Sequence, residues 1–474
     1  MSAEIADPLT DDIVPVTGWG RTAPTAAARL VRPRSHEETA RAVRDCGTRG
    51  SIPRGLGRAY GDAAQNAGGS VIDMTALNRV ISLDAEAGIV VCEAGISLHR
   101  LMEVLLPRGW FVPVTPGTRQ VTVGGAIGAD IHGRNHPVAG SFSRHVLSLE
   151  LLTADGAVRT VVPGTPLFDA TAGGMGLTGV ILTAAFRLHP VETSLMSVDT
   201  ERATDLDDLM ARLTASDNTS DTASGNTTGN TSGDRHRYTV AWIDLLARGS
   251  SLGRSVLIRG DHTPLDALSG RARRQPLAFR PGRLPAAPSY VPEGLLGRTA
   301  VGLFNELRYR GAPHRRTGEL RRIPAFFHPL DGVPRWNRVY GRGGFVQYQF
   351  AVGHGQEEAL TRIVRRVVRR GCPSFLAVLK RFGAGDPGWL SFPMAGWTLS
   401  LDIPTGLPGL GPFLDELDED VAAAGGRVAL AKDSRLRPEL LAAMYPRLDE
   451  FRSLRAELDP RGVFVSDLSR RLSI

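Results

Sequence analysis

Residues 115–142, TPGTRQVTVGGAIGADIHGRNHPVAGSF, constrain this chain more than any other stretch. Six glycines (Gly117, Gly124, Gly125, Gly128, Gly133 and Gly140) stand among small residues and hydroxyls, and polar side chains recur only at points such as Asp130, His132 and Asn135. Glycine at this density lets backbone N–H groups approach a ligand and permits positive φ. Taken alone, the stretch reads equally well as a glycine-rich turn between strands, because one such loop is a weak signal. A second stretch shifts the balance. Pro53–Ala63, PRGLGRAYGDA, is again glycine-rich and carries Arg54 and Arg58; it follows a helix expected over Ser35–Cys46 and a short strand at Ser51 and Ile52. Two backbone cradles, one of them basic, suit a long ligand with a diphosphate in its middle, which describes a dinucleotide.

At 474 residues the chain exceeds one ordinary core, so two domains are expected. A hydrophobic content of 42% with 22% charge describes a soluble globular protein. The start, MSAEIADPLTDD, is acidic and has no apolar signal-peptide region, and no run approaches the ~18 to 20 apolar residues of a spanning helix. The expectation is a protein that is cytoplasmic or peripheral at a membrane. Cys46, Cys92 and Cys372 are widely spaced, which predicts buried, reduced thiols and no zinc site; no metal is expected. The net charge of +7 admits nucleic acid, an anionic lipid surface or phosphorylated substrates, and no nucleic-acid motif supports the first. Of 56 basic residues only Lys380 and Lys432 are lysines. Keeping lysine twice in an arginine-writing chain points to positions that need a compact ammonium or a deprotonatable amine.

Along the chain, Ser35 with Glu38 forms a capping-box pattern before Ala40, Val43 and Cys46 at helical spacing. VIDM and GIVVCEAG read as strands, and Leu98, Leu101, Met102 and Leu105 as the buried stripe of a helix. His145–Val161 is two β-runs joined through Asp155-Gly156, a hairpin signal, and a strand after Gly173 ends a first lobe near Val191. No GxGxxG joins a strand to a helix of a βαβ unit, so these elements suit a sheet-based nucleotide domain better than a doubly wound fold. Residues 214–234 are low complexity and predict a disordered loop, whose Asn-x-Ser/Thr matches at Asn218, Asn226 and Asn230 are accidents of composition. Residues 271–322 are Pro- and Arg-rich with weak periodicity, and read as irregular lid segments or as a solvated arginine surface. Alternation in VQYQF puts Gln347 and Gln349 on one face of a strand and Tyr348 on the other. Gln349, Lys380 and Ser400 on three neighbouring strands could floor a pocket, and a helix, a Gly-Gly stop and a strand precede Lys432.

The order and wording of GLGRAYGD, PGTRQVTVGGAI, DIHGRNH, GGMGLTGVI, FFHPLDGVPRWNRVYG and LDPRGVF resemble the vanillyl-alcohol-oxidase type flavoproteins over most of the chain. The resemblance is strongest to members that act on polyprenyl-phosphoryl pentoses. It implies an α+β fold: a two-lobed FAD-binding domain, residues 1–195 with 412–474 returning to it, and an inserted antiparallel-sheet substrate domain, 196–411. Implied cofactor contacts are Pro53, Arg54, Gly55, Leu56, Gly57, Arg58, Ala59, Tyr60, Gly61, Asp62, Ala63, Gly117, Thr118, Thr122, Val123, Gly124, Gly125, Ala129, Asp130, Ile131, His132 and Ile181. Relatives that attach FAD covalently commonly have a histidine where this chain has Arg58, so non-covalent FAD is expected. His132 and Lys432 are the implied catalytic pair, as proton relay and as partner of the sugar hydroxyl or of the reduced flavin. Gln349, Lys380, Gln347, Tyr60, Asn337 and Ser400 are the implied substrate contacts. Ser400 stands where mycobacterial members have cysteine, which removes a nucleophile at that point, and Ala429 where they have a flavin-associated tyrosine. The implied reaction is oxidation of a pentose 2′-hydroxyl to a ketone at a membrane periphery, on the periplasmic face by this resemblance, completed by an NAD(P)H-dependent short-chain reductase as part of arabinan and cell-wall synthesis. An oxygen-using alditol or aldonolactone oxidase is the second reading, and a non-enzymatic flavin-binding partner the third.

Overall fold

The computed structural model of the protein describes residues 14–218, 236–282, 284–288 and 296–474. After a small antiparallel pair, Val14–Val16 with Thr25–Ala27, its first lobe runs through β1 (Arg29–Val31), α1 (His36–Arg44), β2 (Ser51–Arg54) and β3 (Ser70–Asp73). Ser35 starts α1: its hydroxyl accepts the Glu38 N–H at 3.1 Å, a cap worth about 1 kcal/mol. The Glu38 carboxylate turns back to the Arg34 N–H at 2.7 Å instead of closing the expected box on Ser35. The three strands form a parallel sheet in the order β1-β3-β2, which carries the 53–63 loop out of the C-terminal end of β2.

A five-stranded antiparallel sheet follows, built from β4 (Val80–Asp84), β5 (Ile89–Glu93), β6 (Val146–Leu152), β7 (Val158–Val161) and β8 (Val180–Arg187) in the order β7-β6-β8-β5-β4. Gly156, at φ 85°, turns the β6–β7 hairpin. Between β5 and β6 lie α2 (Leu98–Leu105) and α3 (Val123–Gly128); α2 buries Leu98, Leu101, Met102 and Leu105. Thr122 caps α3 by accepting the Gly125 N–H at 3.2 Å, so the 115–142 stretch contains a short helix held by a hydroxyl.

The second lobe is one eight-stranded antiparallel sheet. Its strands are β9 (Leu195–Ala203), β10 (Tyr238–Ile243), β11 (Ser255–His262), β12 (Arg315–Arg322), β13 (Phe345–Gly353), β14 (Ala377–Phe382), β15 (Gly396–Pro404) and β16 (Arg427–Val428), in the order β12-β9-β11-β10-β14-β15-β13-β16. The helices α4 (Arg298–Gly311), α5 (Glu357–Arg370) and α6 (Leu410–Ala423) belong to this lobe. Ala359, Leu360, Ile363, Val364, Val367 and Val368 form the buried stripe of α5, and Gly371 ends it at φ 72°. Such a stripe contributes about 1.5–3 kcal/mol per large apolar side chain.

Several expectations need correction. Residue 412 falls inside α6, and β16 adds to the large sheet, so the chain rejoins the first lobe only beyond it. There Phe464 bridges Ser51 and Arg471 pairs with Asp62 and Asp433, each at 2.9 Å. Residues 271–322 are not irregular throughout, since they include α4 and β12. Their periodicity is weak because α4 leaves Leu303, Phe304 and Leu307 in solvent and β12 is an exposed edge strand. Residues 214–218 end the helix Leu206–Asn218; the rest of the expected disordered loop lies outside the described residues, together with Asn226 and Asn230. Cys46 is partly exposed, while Cys92 and Cys372 are buried; all three are free. Among the described residues no helix is long and apolar enough to cross a membrane.

Candidate active site

A cavity of about 400 Å³ has the two glycine stretches on one side and the faces of β13, β14 and β15 on the other. On the glycine side, Pro53 to Tyr60, Ala63, Gly117, Thr118, Thr122, Gly124, Gly125, Ala129, Ile131, His132 and Ile181 all line it. The two stretches are packed on one another. A Cβ on Gly55 would lie 2.1 Å from the Thr122 hydroxyl, and one on Gly124 3.1 Å from the Ala94 methyl. Gly57 turns at φ 62°. At Gly117 an added Cβ would meet no protein atom, so that position faces open cavity.

The two arginines of the first loop differ. Arg54 donates to the carbonyls of Ala64 and Thr17, both at 2.8 Å, and so braces its own loop. Arg58 lies flat over the Trp19 ring at 3.7 Å, and its Nε has no hydrogen-bond partner among the described residues. Burial lowers the pKa of both guanidiniums. Arg58 is therefore the cation with donors to spare for an anionic ligand.

Four of the expected cofactor residues are turned away from the cavity. Gly61 is pressed on the Asp433 carbonyl, where a Cβ would come within 1.6 Å. Asp62 is paired with Arg471. Val123 is a fully buried core residue. Asp130, in the left-handed region at φ 38°, accepts from the Ser143 N–H at 3.1 Å and the Ser391 hydroxyl at 2.5 Å, and so ties its loop to the second lobe. Burial and the nearby Asp386 push its pKa up to about 6. Asn337 is also off the cavity: it sits in a 3₁₀ turn and donates to the Trp19 carbonyl at 2.9 Å.

The opposite wall depends on register. Gln349 stands opposite Ser400, Gln347 opposite Asp402, and Lys380 opposite Thr398. Opposed residues share a face, so one face of three strands carries Gln347, Gln349, Lys380, Thr398, Ser400 and Asp402. Tyr348 points the other way and donates to Asp418 at 3.0 Å. Lys432 reaches the cavity from the 3₁₀ turn Leu430–Lys432 rather than from a strand end, its Nζ 5.6 Å from the centre of the Tyr60 ring.

His132 ties the walls together. Thr398 donates its hydroxyl hydrogen to the Phe350 carbonyl at 2.9 Å, so its oxygen is free only to accept, and Gln349 Nε2 donates to it at 3.0 Å. The same amide nitrogen faces His132 Nε2 at 3.2 Å, which therefore accepts. The imidazole hydrogen is left on Nδ1, 3.2 Å from Lys380 Nζ, and a donor directed at an amine requires the amine to be neutral. The electrostatics agree. Burial, followed by the charges of Lys380 and Lys432, holds His132 well below the usual imidazole range. Burial, followed by Lys432 and Arg134, brings Lys380 down to about 7. These side chains are partly accessible because they face the cavity, yet protein surrounds them on every other side.

Three groups here were not anticipated. Asp402 is fully buried and accepts from Gln347 Nε2 at 2.6 Å and the Tyr340 hydroxyl at 3.2 Å. Burial pushes Asp402 up to about 7 and Lys432 down to about 8, each held back by the charge of the other. Thr398 orients Gln349. Arg134 lines the cavity over the Phe326 ring at 4.8 Å, with no carboxylate partner among the described residues; burial, then Arg308 and Arg321, lower it to about 10. The alternation that selected Ser400 would also have selected Thr398 and Asp402, two residues away on either side. Arg134 stands two residues after His132 inside DIHGRNH, and that position is its signal in the sequence. Among the described residues no cluster of His, Cys, Asp or Glu could hold a metal ion.

Glycine walls, an unpaired guanidinium beside them and an opposed set of proton-exchanging groups fit a flavin dinucleotide facing an oxidisable substrate, which is the arrangement of an FAD-dependent oxidoreductase. The FAD binding domain family matches residues 27–161, and the D-arabinono-1,4-lactone oxidase family matches residues 354–472. The chain is 45% identical over 463 residues, 96% of this chain and 97% of the other, to decaprenylphosphoryl-β-D-ribose oxidase of Mycolicibacterium smegmatis. It is 56% identical over 389 residues, 80% of this chain and 100% of the other, to the protein of the mprA 5′ region of Streptomyces coelicolor. It is also 25% identical over 96% of its length, and 98% of the other, to L-gulono-1,4-lactone dehydrogenase of Mycobacterium tuberculosis. Among solved structures, BBE-like 1 of Physcomitrella patens superposes with a TM-score of 0.64 at 16% identity, over 94% of this chain and 92% of the other, and shares the fold. The protein belongs to the decaprenylphosphoryl-β-D-ribose oxidase family. It is an FAD-binding oxidoreductase with the two-lobed fold of the vanillyl-alcohol-oxidase type and an antiparallel substrate sheet.

Proposed function

We propose that the protein oxidises the 2′-hydroxyl of decaprenylphosphoryl-β-D-ribose, or of a related polyprenyl-phosphoryl pentose, to the ketone. The observation that carries this reading is the meeting of both lysines of the chain with His132 where the glycine side of the cavity meets the strand wall. FAD, when bound, supplies the hydride acceptor for the carbinol C–H. The chain has three tasks beside it. The neutral amine of Lys380 turns its one lone pair from the His132 Nδ1–H to the substrate and takes the hydroxyl proton, and a pKa near 7 suits a base working near neutral pH. Lys432 holds a compact positive charge against the developing oxyanion, with Asp402 modulating it. Gln347 and Gln349 line the cavity as the candidate partners of sugar hydroxyls, their amide nitrogens engaged by protein groups and their buried carbonyl oxygens without a partner among the described residues. Arg134 is the group suited to the phosphate.

Tyr60 and Ser400 complete the substrate side. Burial, then Asp402, hold the Tyr60 phenol above its ordinary range, so it stays protonated and can only donate or accept a neutral hydrogen bond. FAD is held without a covalent bond, Arg58 occupying the first-loop position; flavin left in the supernatant when the denatured protein is precipitated checks this. The ketone is then reduced by a separate NAD(P)H-dependent short-chain reductase, which completes epimerisation to an arabinose donor for the cell wall. The substrate's lipid places the protein at a membrane periphery.

Anaerobic addition of a polyprenyl-phosphoryl ribose to the yellow protein should bleach the flavin band. Lys432→Ala should keep its flavin and bleach about 10²-fold or more slowly. Bleaching at the wild-type rate would take Lys432 off the catalytic list. A second reading, an oxygen-using aldonolactone or alditol oxidase, is favoured by the lactone-oxidase match at residues 354–472. Release of hydrogen peroxide with free sugars would select it.

A further inference from the structure

The positive charge of the chain is concentrated in one segment. Residues 271–322 carry twelve arginines against three acids, a net of +9 where the whole chain carries +7, so all other residues together sum to −2. The same 52 residues hold half of the ten large apolar side chains exposed among the described residues: Leu284 at 62%, Leu303 at 62%, Phe304 at 43%, Leu307 at 64% and Leu320 at 49%. Charge and exposed apolar surface are usually separated on a protein, and here they coincide.

The helix α4 organises this face. Its buried side is marked by Val301 and by Asn305, whose amide donates to Asp244 at 2.8 Å. Leu303, Phe304 and Leu307 stand outward with Arg298, Arg308 and Arg310. Glu306 engages Arg254 and Arg310, and Glu319 engages Arg316 and Arg321. Arg271, Arg273, Arg274, Arg298, Arg315 and Arg322 are exposed and have no carboxylate partner among the described residues. Apolar side chains interleaved with unpaired arginines match the headgroup boundary of an anionic bilayer, which takes leucine and phenylalanine into its acyl edge and neutralises cations at its surface. A second copy of the chain would set like charges against each other.

The face is continuous with the cavity. The Phe304 ring packs on Phe375 at 5.8 Å, next to Leu376 in the cavity wall. On the other flank the Leu284 and Ala287 N–H groups donate to the carbonyls of Gly332 and Pro334, at 2.7 and 2.9 Å. These carbonyls belong to the loop that sends Leu330 and Trp336 into the cavity.

We propose that α4, with the exposed arginines Arg298, Arg310 and Arg315, is the surface by which the protein docks on an anionic lipid bilayer, on the flank of the cavity walled by Leu330, Trp336 and Leu376. The lipid-linked substrate reading gives this docking its purpose, but the test does not depend on it.

The flavin-loaded full chain is floated with phosphatidylcholine vesicles made with and without phosphatidylglycerol. The wild type should float with the anionic vesicles only, and less as salt is raised. Leu303→Ser with Leu307→Ser, and separately Arg298→Glu with Arg310→Glu and Arg315→Glu, should each cut the bound fraction about tenfold or more while flavin absorbance and Tm stay at wild-type values. All five positions are exposed, so the fold is spared. No flotation of the wild type, or full flotation of both variants, would overturn the proposal. So would loss of a wild-type self-association in the leucine variant without any vesicle binding, which would assign the face to a second copy. A protein that floats but is not bleached by the lipid-linked sugar in detergent would leave the docking face standing and sink the substrate reading. Bleaching in detergent without flotation would sink only the docking face.

Discussion

The two walls of the cavity are made in different ways. The glycine wall is backbone: its shape comes from Gly55 lying against Thr122, Gly57 turning at positive φ and Gly124 backing on Ala94, and its one spare charge is Arg58. The opposite wall is side chain: Gln347, Gln349, Lys380 and Ser400 on one face of β13, β14 and β15, backed by the buried Thr398 and Asp402 and met by Lys432, His132 and Arg134. The first wall is sensitive to volume and the second to protonation. Binding and chemistry are thereby separated by surface, and each can be disturbed without the other.

Gly117→Leu is the most severe way to test the first wall. A Cβ added at this cavity-lining position meets no protein atom within 4 Å, so the fold should survive while flavin is displaced. The expected loss is about 100-fold or more in flavin affinity, about 2.7 kcal/mol or more, measured by flavin titration of the apoprotein with Tm as control. A variant that purifies as yellow as the wild type would show that flavin does not lie along Gly117. Lys380→Met tests the second wall. It should keep flavin and slow substrate bleaching by about 10²-fold. In the wild type the rate should rise as pH rises through about 7, because the amine accepts a proton only after losing its own and burial has brought that loss down from the usual lysine range. That limb should be absent in Lys380→Met; a limb that persists would assign the titration to another group.

The same contrast explains what could be read in advance. The cradle was legible because its glycines are contiguous in sequence and their role is local. Within the motifs not every residue lines the cavity: Gly61, Asp62, Val123 and Asp130 hold the loops from behind. The floor was legible only along each strand: alternation placed Gln347 with Gln349, and lysine scarcity marked Lys380 and Lys432. Which residues oppose across strands is a matter of register, and Asp402 opposite Gln347 and Thr398 opposite Lys380 became visible only with the pairing. Asn337 was misplaced because a 3₁₀ turn aims it at Trp19, and α4 was missed because its apolar residues lie on the wrong side for a buried stripe.

The mildest perturbation separates the hydrogen-bond chain from the charges it organises. Valine at position 398 keeps the shape of threonine and removes the oxygen that fixes the Gln349 amide. The amide can then turn its unpartnered carbonyl toward His132 Nε2, which becomes the protonated ring nitrogen. Nδ1 is left as an acceptor, and its matching partner is the ammonium form of Lys380 rather than the amine. Stabilising the protonated form raises a pKa, so in Thr398→Val the limb near pH 7 should move to higher pH. One hydrogen bond of about 1 kcal/mol corresponds to a shift of about 0.7 units. Near pH 7 the bleaching rate should fall about two- to fivefold and recover at higher pH, with flavin affinity unchanged. An unmoved profile with a uniformly lowered rate would mean that Thr398 only packs the floor. An unmoved profile with an unchanged rate would mean that the amide is oriented by something other than this hydroxyl.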